Sequence, residues 1–561
     1  MHSYIRSAFA CAVLAAAAWA IPAFPGAEGW GASTPGGRGP DPKGNPPKVY
    51  LVTTLATSGK GSFNEAFQAK GPRIIVFRVS GHISLQDIGS QNDFLPDSTH
   101  GYLTIAGQTS PGGITLTNSG SSSAIIYAYH RHFRHFVFRF LRFRADGNNN
   151  DGMTLNTTDH FIIDHCDFAG GSDETLDITA SSDFTIQWST ITNSSVCGDC
   201  QTYGFLMGYP PTMHISLHHN LMAHHVHRFP AMHWDRTAAP DFGQIDYRNN
   251  VLYNGGDYFL LSGNIDPPAT VRMNIVGNTF KGGPQSPPNS NNEASWFFSM
   301  VSLGDEITGY ESDNVMIPRP GQGTASTTRV RERTPNRVET PWTMPAVATQ
   351  PRAEAYDLVL DKVGAVPRDA LLARTVTEVR NGTGQFGKTD DALLSAAPAP
   401  PEDADMDGMA DAWETAMGLD PKTAADNVSD QDDDGYLNIE EYINDVALMR
   451  LGDAPLNPKG AAAIQASFVT RLDGKGGPSQ RRLAARIDRG AGRVEIRLPA
   501  GAESGGRLEI MDSRGRLVAA LPARPVSSWD YRSPRALPPG AYTVLWRVDG
   551  SIRLSAPVDV Y

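Results

Sequence analysis

The sequence is 561 residues long, which is more than one ordinary hydrophobic core organises, so several domains are expected. Its 55 glycines, 40 prolines and 19% charged residues are typical of a chain rich in turns and strands and argue against a mainly helical protein. The net charge is −12 and no basic field dominates the long N-terminal part, which argues against nucleic acid as a partner.

The N-terminus has the pattern of an export signal. Arg6 precedes an apolar run over residues 8–18, and the small-x-small sequence at 18–20 is typical of a cleavage site. We therefore predict a signal peptide over residues 1–20 and a secreted or cell-surface protein. The run is too short for a stable membrane span and no later stretch qualifies, although a short membrane anchor is an alternative. In an oxidising compartment Cys197 and Cys200 could form a small local disulfide.

A short strand pattern recurs between residues 136 and 280 at intervals of 23 to 31 residues. Period-2 alternation repeated at this interval indicates a β-solenoid, whereas a β-propeller blade needs about 40 residues. We therefore predict an all-β fold built on a right-handed parallel β-helix. We also expect asparagines to stack at a bend that tolerates a left-handed conformation. The column that suggests this contains Leu141, Cys166, Ser189, Asn220, Asn250 and Asn278.

The same strand pattern extends toward the N-terminus, and a different pattern follows it. Residues 48–54, 73–79 and 103–105 predict earlier coils of the solenoid. Residues 353–377 predict helix, which we expect to pack against the end or the flank of the β-helix.

Four polar residues stand at similar distances beyond the column. Asp151, Asp173, Asp177 and Arg228 follow it by ten, seven, eleven and eight residues, so they fall on one side of the solenoid in nearby coils. Because neighbouring coils are ~4.7–4.9 Å apart, their carboxylates can converge on one hard cation, and oxygen ligands suit calcium. The alternative is that these acids only solubilise the surface.

Six segments resemble the pectate lyases of polysaccharide lyase family one, over roughly residues 23–395. They are residues 23–32 (AFPGAEGWGA), 36–39 (GGRG), 103–109 (LTIAGQT), 162–168 (IIDHCDF), 173–178 (DETLDI) and 217–220 (LHHN). The resemblance implies that Asp151, Asp173 and Asp177 bind calcium, with Asn149 as an additional candidate ligand. It also implies that Arg228, which stands in an Arg-x-Pro context, is the catalytic base.

The chain departs from the family pattern in the residues expected to bind substrate. Many members have a substrate-binding lysine on the coil before the arginine, but no lysine lies between Val196 and Gly208. Gln201 and Tyr203 are candidates in its place, and His227 and His233 are expected to line the cleft near Arg228.

The resemblance implies a calcium-dependent pectate lyase, which cleaves α-1,4-linked polygalacturonate by β-elimination to unsaturated oligogalacturonides. The expected partner is therefore a polyanionic plant cell-wall polysaccharide. Arginine is a poor base unless its pKa is lowered, so an alkaline optimum is expected. The alternatives are a lyase acting on another uronan and a non-catalytic, calcium-dependent glycan-binding β-helix. Zinc at the clustered histidines is disfavoured because the adjacent strand residues His218 and His219 point to opposite faces.

An acidic stretch near the C-terminus contains two loops with the ligand spacing of an EF-hand. Residues 401–445 have 15 Asp/Glu and one Lys, and the alternative is an acidic disordered linker. The first loop offers Asp403, Asp405, Asp407, Asp411 and Glu414, and the second offers Asp430, Asp432, Asp434, Asn438 and Glu441.

We expect five segments and a monomeric protein. They are the signal peptide over 1–20, the catalytic β-helix over 21–397, the EF-hand-like calcium module over 398–447, a linker over 448–483, and a β-sandwich over 484–561. The last segment alternates like strands and resembles small immunoglobulin-like modules used for secretion sorting or surface attachment.

Overall fold

The computed structural model describes residues 21–40, 44–85, 96–118, 124–130, 132–145, 151–197, 200–208, 212–233, 242–255, 270–286, 306–319, 321, 325, 336–387 and 399–473, and seven further strands up to residue 560. Residues 1–20, where the signal peptide is predicted, and Asn149 lie outside this part of the chain. Among the described residues, no helix is both long and apolar enough to cross a membrane.

The described residues before position 340 form three parallel sheets. Sheet A contains β1 (Lys48–Val52), β2 (Arg73–Phe77), β4 (Leu103–Ala106), β7 (Arg134–Arg139), β10 (Asp159–Asp164), β13 (Ser182–Gln187), β16 (Thr212–His218), β19 (Phe242–Arg248), β21 (Thr270–Val276), β23 (Glu306–Ser312) and β25 (Asn336–Arg337). Sheet B contains β3 (Gly81–Ser84), β5 (Ile114–Thr117), β8 (Leu141–Arg144), β11 (Asp167–Ala169), β14 (Thr190–Thr192), β17 (Leu221–His225), β20 (Val251–Gly255), β22 (Thr279–Lys281) and β24 (Val315–Ile317). Sheet C contains β6 (Ile126–Ala128), β9 (Met153–Asn156), β12 (Glu174–Thr179), β15 (Tyr203–Gly208) and β18 (Ala231–His233).

The chain passes from sheet A to sheet B to sheet C in each complete coil, and each strand pairs in parallel with the same strand of the next coil. The predicted right-handed parallel β-helix is therefore confirmed. Its interior is filled by inward-facing apolar residues that stack from coil to coil, as the rings of Phe136, Phe161 and Phe184 do at 4.5 and 4.8 Å between centroids. The early segments expected to begin the solenoid are strands β1, β2 and β4.

The bend between sheets A and B has a left-handed residue in successive coils. The residue concerned is the one before the predicted column, with φ of 56° at Phe140, 50° at Trp188 and 56° at His219. The expectation that the asparagine itself adopts this conformation is thus wrong by one residue. Each asparagine instead lies between this residue and the first residue of the sheet B strand, where its side chain bonds to the neighbouring coils.

Asn220, Asn250, Asn278 and Asn314 form what we call the asparagine ladder. The Oδ1 atom of Asn250 accepts the backbone N–H of Asn220 at 3.0 Å, and its Nδ2 donates to the carbonyl of Leu217 at 2.9 Å. The same pair of bonds recurs at Asn278 and Asn314. The first three amides are fully buried, so the ladder satisfies backbone groups that water cannot reach.

Six helices accompany the sheets in the described residues: α1 (Phe63–Phe67), α2 (Arg352–Lys362), α3 (Ala370–Asn381), α4 (Asp411–Met417), α5 (Asn438–Leu451) and α6 (Pro458–Asp473). Helices α2 and α3 confirm most of the helical prediction for residues 353–377, although residues 363–369 between them are not helical, and both pack on the flank of the β-helix, against sheet B. Their buried cluster contains Leu221, Val251, Tyr253, Val359, Leu360, Leu372 and Val376. Helix α6 lies within the stretch 448–483 that was expected to be a linker.

The outer face of sheet A is covered by two segments distant in sequence from each other. The first is the N-terminal segment, in which Phe24 and Ala27 pack with Val137 and Ile162. The second is the acidic segment over 401–450, which lies against the first coils and belongs to the same compact unit as the β-helix.

The C-terminal residues form a second compact unit with two antiparallel sheets. One sheet contains β26 (Ala484–Asp488), β27 (Arg493–Arg497) and β30 (Trp529–Arg532). The other contains β28 (Arg507–Asp512), β29 (Leu517–Pro522), β31 (Gly540–Val548) and β32 (Ser551–Val560).

We predict that Asn250→Ala destabilises the β-helix by about 2–6 kcal/mol, because it leaves the Asn220 N–H and the Leu217 carbonyl buried without partners, at about 1–3 kcal/mol each. The free energy of unfolding from urea titration measures the effect. The control is Asn381→Ala, because Asn381 is exposed at the end of α3. A loss at Asn250 no larger than at Asn381 would show that the ladder does not stabilise the fold.

Candidate active site

The polar residues singled out from the sequence meet on sheet C and the turns that lead into it. Along β12, Leu176 and Ile178 are buried in the core, so Asp177 between them faces outward. Asp177 pairs with Thr154 on β9, and Glu174 pairs with Tyr203 on β15. After the bend between sheets A and B, the chain forms a short sheet B strand before it reaches these positions. The site therefore lies at the next turn of each coil, between sheets B and C.

Three carboxylates converge at the end of sheet C where strands β9 and β12 begin. Asp151, Asp173 and Glu174 each offer an oxygen within 4.8 Å of the others. Asp151 is held in place from both sides, because its Oδ2 accepts the Thr154 hydroxyl at 2.6 Å and its Oδ1 accepts the Glu174 backbone N–H at 3.0 Å. The predicted pair Asp151 and Asp173 is therefore brought together.

Asp177 lies beside this cluster and is coupled to it electrostatically. Burial and the nearby charges of Asp151 and Asp173 raise the pKa of Asp177 to about 8, and one of its oxygens is buried without a hydrogen bond in the described structure. Burial, opposed by the Thr154 hydrogen bond, raises the pKa of Asp151 to about 7. Carboxylates held this close and this dry favour a bound cation, and an all-oxygen donor set fits calcium.

Arg228 comes from the turn after β17 and extends over the carboxylates. Its guanidinium pairs with the Glu174 carboxylate and lies 4.0 Å from the centroid of the Tyr203 ring. The side chain is 25% exposed, and burial lowers the pKa of Arg228 although Asp173 and Asp151 act in the opposite direction. The arginine is therefore positioned by a ring and an acid, beside the acidic cluster.

The four residues expected to bind substrate lie on β15, on β18 and on the turns before these strands. Tyr203 lies beneath Arg228, and the His227 ring meets the Tyr203 ring edge-on at 5.5 Å. Gln201 is exposed on the turn before β15, where its backbone N–H bonds to the Ser172 carbonyl. The backbone of His233 pairs with Gly208 at the far edge of sheet C. Cys197 and Cys200 form the expected disulfide near this turn.

Glu174 is a site residue that the sequence pattern did not reveal. It directly follows Asp173, and alternation within a strand sends neighbours to opposite faces. Strand β12 begins only at Glu174, however, so Asp173 still lies in the turn and alternation does not separate the two.

The two acidic loops at residues 403–414 and 430–441 have matching backbones. The N–H of Gly408 donates to Asp403 Oδ2 at 3.2 Å and that of Gly435 to Asp430 Oδ2 at 2.9 Å. Carboxylates cluster in each loop. The clusters are Asp403, Asp405 and Asp407; Asp407, Glu414 and Asp426; and Asp430, Asp432 and Asp434.

The two acidic loops differ from the predicted ligand pattern at a few positions. Asp411 Oδ1 accepts the Ala404 N–H at 2.7 Å, and Asn438 Oδ1 accepts the Gln431 N–H at 3.3 Å, so both side chains fasten the loop backbone. Asp426 was not predicted because it lies outside the EF-hand spacing. Burial and the charges of Asp432 and Asp434 raise the pKa of Glu441 to about 7.

The chain is similar in sequence to proteins named as probable pectate lyases. No family model matches the chain. A probable pectate lyase C of Aspergillus terreus is 30% identical over 450 residues, covering 76% of this chain and 94% of the relative. A probable pectate lyase C of Neosartorya fischeri is 30% identical over 457 residues, covering 77% and 96%. Similar solved structures include a thermostable pectate lyase (TM-score 0.40, 15% identity, 60% of this chain and 97% of that one) and the major allergen of cedar pollen (TM-score 0.36, 14% identity, 61% and 93%).

The parallel β-helix and the similarity to these relatives define the protein as a polysaccharide lyase. The chain belongs to the pectate lyase family.

Proposed function

We propose that the protein is a calcium-dependent pectate lyase that cleaves α-1,4-linked polygalacturonate by β-elimination and releases unsaturated oligogalacturonides. The observation that carries the proposal is the convergence of Asp151, Asp173 and Glu174, with Asp177 beside them and Arg228 paired with Glu174. Membership of the pectate lyase family supports the substrate class.

The proposed reaction removes the C5 proton of a uronate, forms a double bond between C4 and C5, and expels the oxygen at C4, which takes a proton from water. Calcium bound by Asp151, Asp173 and Asp177 would neutralise the substrate carboxylate, which makes the neighbouring proton easier to remove. Arg228 takes this proton, and its burial favours the neutral form that a base requires. The Tyr203 ring and the Glu174 carboxylate limit the orientations that the guanidinium adopts.

We also propose that the two acidic loops form an EF-hand-like calcium module. Glu414 is fully buried and neither of its carboxylate oxygens has a hydrogen bond in the described structure. Burial and the charges of Asp407, Asp405 and Asp426 raise its pKa to about 8. A buried carboxylate without a donor is costly unless a cation occupies the site, and Asp407 and Asp426 converge with it.

The calcium module would act as a structural clamp on the first coils of the β-helix. Arg78 reaches Asp403 at 3.3 Å, and Arg38 reaches Glu440 at 3.2 Å. Helix α5 continues the contact, because the Asn444 Oδ1 accepts from Arg139 at 2.9 Å and the Ile443 carbonyl accepts from Gln108 at 3.2 Å. Fixing the loops with calcium therefore fixes groups that sheet A needs as partners.

We propose that the protein is exported, with residues 1–20 as the signal peptide, and that the unit over 484–561 serves sorting or surface attachment. The disulfide between Cys197 and Cys200 supports an oxidising compartment.

The activity is tested by incubating the protein with polygalacturonate, methylated pectin or alginate and following the ultraviolet absorbance of the unsaturated product. We expect product from polygalacturonate, and loss of turnover when calcium is chelated. Product from alginate alone would instead indicate a lyase for another uronan, and binding without product would indicate a glycan-binding β-helix.

Two variants separate calcium binding from proton transfer. Asp177→Asn removes one negative charge from the cation site, so the calcium concentration needed for activity rises and added calcium restores part of the rate. Arg228→Lys keeps a positive charge but loses the planar guanidinium, so turnover falls at least ~10²-fold and calcium does not restore it.

Turnover against calcium concentration distinguishes these outcomes, with circular dichroism as the control for folding. If Arg228→Lys kept most of its turnover, or recovered with calcium as Asp177→Asn does, the role of Arg228 as the base would be refuted.

The clamp is tested by Glu414→Gln, which removes a charge from the first loop. With calcium in excess we expect its thermal midpoint to fall roughly 3–5 °C below that of the parent protein, because about 2.7 kcal/mol of linked binding energy is lost. In chelator the midpoint of Glu414→Gln should equal or exceed that of the parent, because the buried carboxylate then has no cation beside it. Glu354→Gln, on the exposed side of α2, is the matched control. Equal midpoints for Glu414→Gln and the parent in calcium would rule out a stabilising metal at this loop.

A further inference from the structure

The outer face of sheet C has an aromatic pair at the end opposite to Arg228. Tyr127 lies on β6 between Ile126 and Ala128, which are fully buried, so the tyrosine faces outward. Tyr129 follows two residues later and is 41% exposed. The two rings stack at 5.7 Å between centroids with an interplanar angle of 9°.

Strand register places this pair in line with the acidic cluster. Tyr127 pairs with Thr154 on β9, and Thr154 pairs with Asp177 on β12. Side chains in one row of a parallel sheet project from the same face, so Tyr127 and Asp177 share a face and stand about 9.5 Å apart, two strand spacings. After burial and Tyr129, the carboxylates of Asp151 and Asp177 also raise the pKa of Tyr127, in agreement with this proximity.

A role for the pair in stabilising the fold does not account for the exposure of Tyr129. The apolar core lies on the other side of β6, and the ring contacts of Tyr129 within the described residues are with Tyr127 and His130 on the same surface. An exposed aromatic surface beside a polar cleft is typical of a ligand site, because a flat ring provides contact area at a low cost in conformational entropy.

The chemistry of the proposed substrate fits this surface. A uronate chain that extends along sheet C places one carboxylate at the acidic cluster and successive rings over neighbouring strands. Pyranose rings have an apolar face that packs on aromatic rings, while the phenol hydroxyls can bond to sugar hydroxyls. The stretch Val196 to Gly208 contains no lysine. Other contacts with the substrate therefore have to supply binding, and stacking on aromatic rings is one of them.

We propose that Tyr127 and Tyr129 form a sugar-stacking subsite that binds a uronate ring of the polysaccharide away from the bond that is cleaved. This inference rests on the proposed function, because it assigns a second contact to the same substrate. It makes the tyrosine pair a determinant of chain-length preference: long oligogalacturonates reach it from the acidic cluster, and short ones do not.

The test is Tyr129→Ala, assayed for kcat and KM with polygalacturonate and with oligogalacturonates of increasing length. Removing a contact made equally in the ground state and the transition state raises KM without changing kcat. We expect roughly a 3- to 10-fold rise in KM for long substrates, the size of a lost aromatic contact, and no rise for the shortest. Tyr129→Phe keeps the ring and should recover most of the lost affinity.

Leu55→Ala is the matched control, because Leu55 is 39% exposed just beyond β1 on another part of the surface, and its kinetics should equal those of the parent. An unchanged KM for long substrates in Tyr129→Ala, or an equal rise at every chain length, would overturn the subsite.

A binding measurement keeps this result separate from the fate of the proposed reaction. Polygalacturonate is titrated in calcium into Arg228→Lys and into Arg228→Lys with Tyr129→Ala, and calorimetry records the affinity. A 3- to 10-fold weaker affinity with Tyr129→Ala supports the subsite even if no variant turns substrate over, in which case only the proposed reaction fails. Equal affinities refute the subsite whether or not the parent protein is an active lyase.

Discussion

The register of the coils is the constraint on which the rest of this structure depends. Asp151, Asp177 and Arg228 come from separate coils and are far apart in the sequence. They come together only if each strand pairs with the same strand of the next coil in one fixed register. A slip of one residue would turn Asp177 into the core and Leu176 outward. The asparagine ladder opposes such a slip, because every amide bonds to backbone groups of particular residues in the adjoining coils. A structural device at the bend thus determines the geometry of a site on another sheet.

The fold concentrates negative charge in two places, and each of them needs compensating positive charge. On sheet C the compensation is shared between Arg228 and the calcium that the proposed function requires. In the acidic loops Arg78 and Arg38 supply part of it from the β-helix. Calcium would therefore serve catalysis at one site and stability at the other. The two sites can bind calcium with different affinities because their ligand sets differ.

Much of the fold and part of the site followed from sequence, for identifiable reasons. The alternation of apolar and polar residues, repeated at a regular interval, predicts the β-helix because every coil needs the same inward-facing apolar residues. Glu174 could not be found because the alternation rule fails where a strand begins. Asp426 could not be found because it joins a loop from outside the consensus spacing. Contacts between residues distant in sequence cannot be read from a local pattern. Two features depend on such contacts: the packing of the acidic segment on sheet A and the alignment of Tyr127 with Asp177.

The position of the acidic segment has a consequence for the order in which the molecule is completed. The first coils, with Val49 and Val76 on their outer face, are the earliest part of the β-helix to leave the ribosome. Gly408 packs so closely on these two valines that an added Cβ would approach them to 3.2 and 3.0 Å. Their cover is therefore made more than 300 residues later, roughly 15–60 seconds at ordinary rates of synthesis. During that interval the outer apolar surface of the earliest coils is not covered. The acidic segment, which is synthesised late, then covers the coils that were synthesised first.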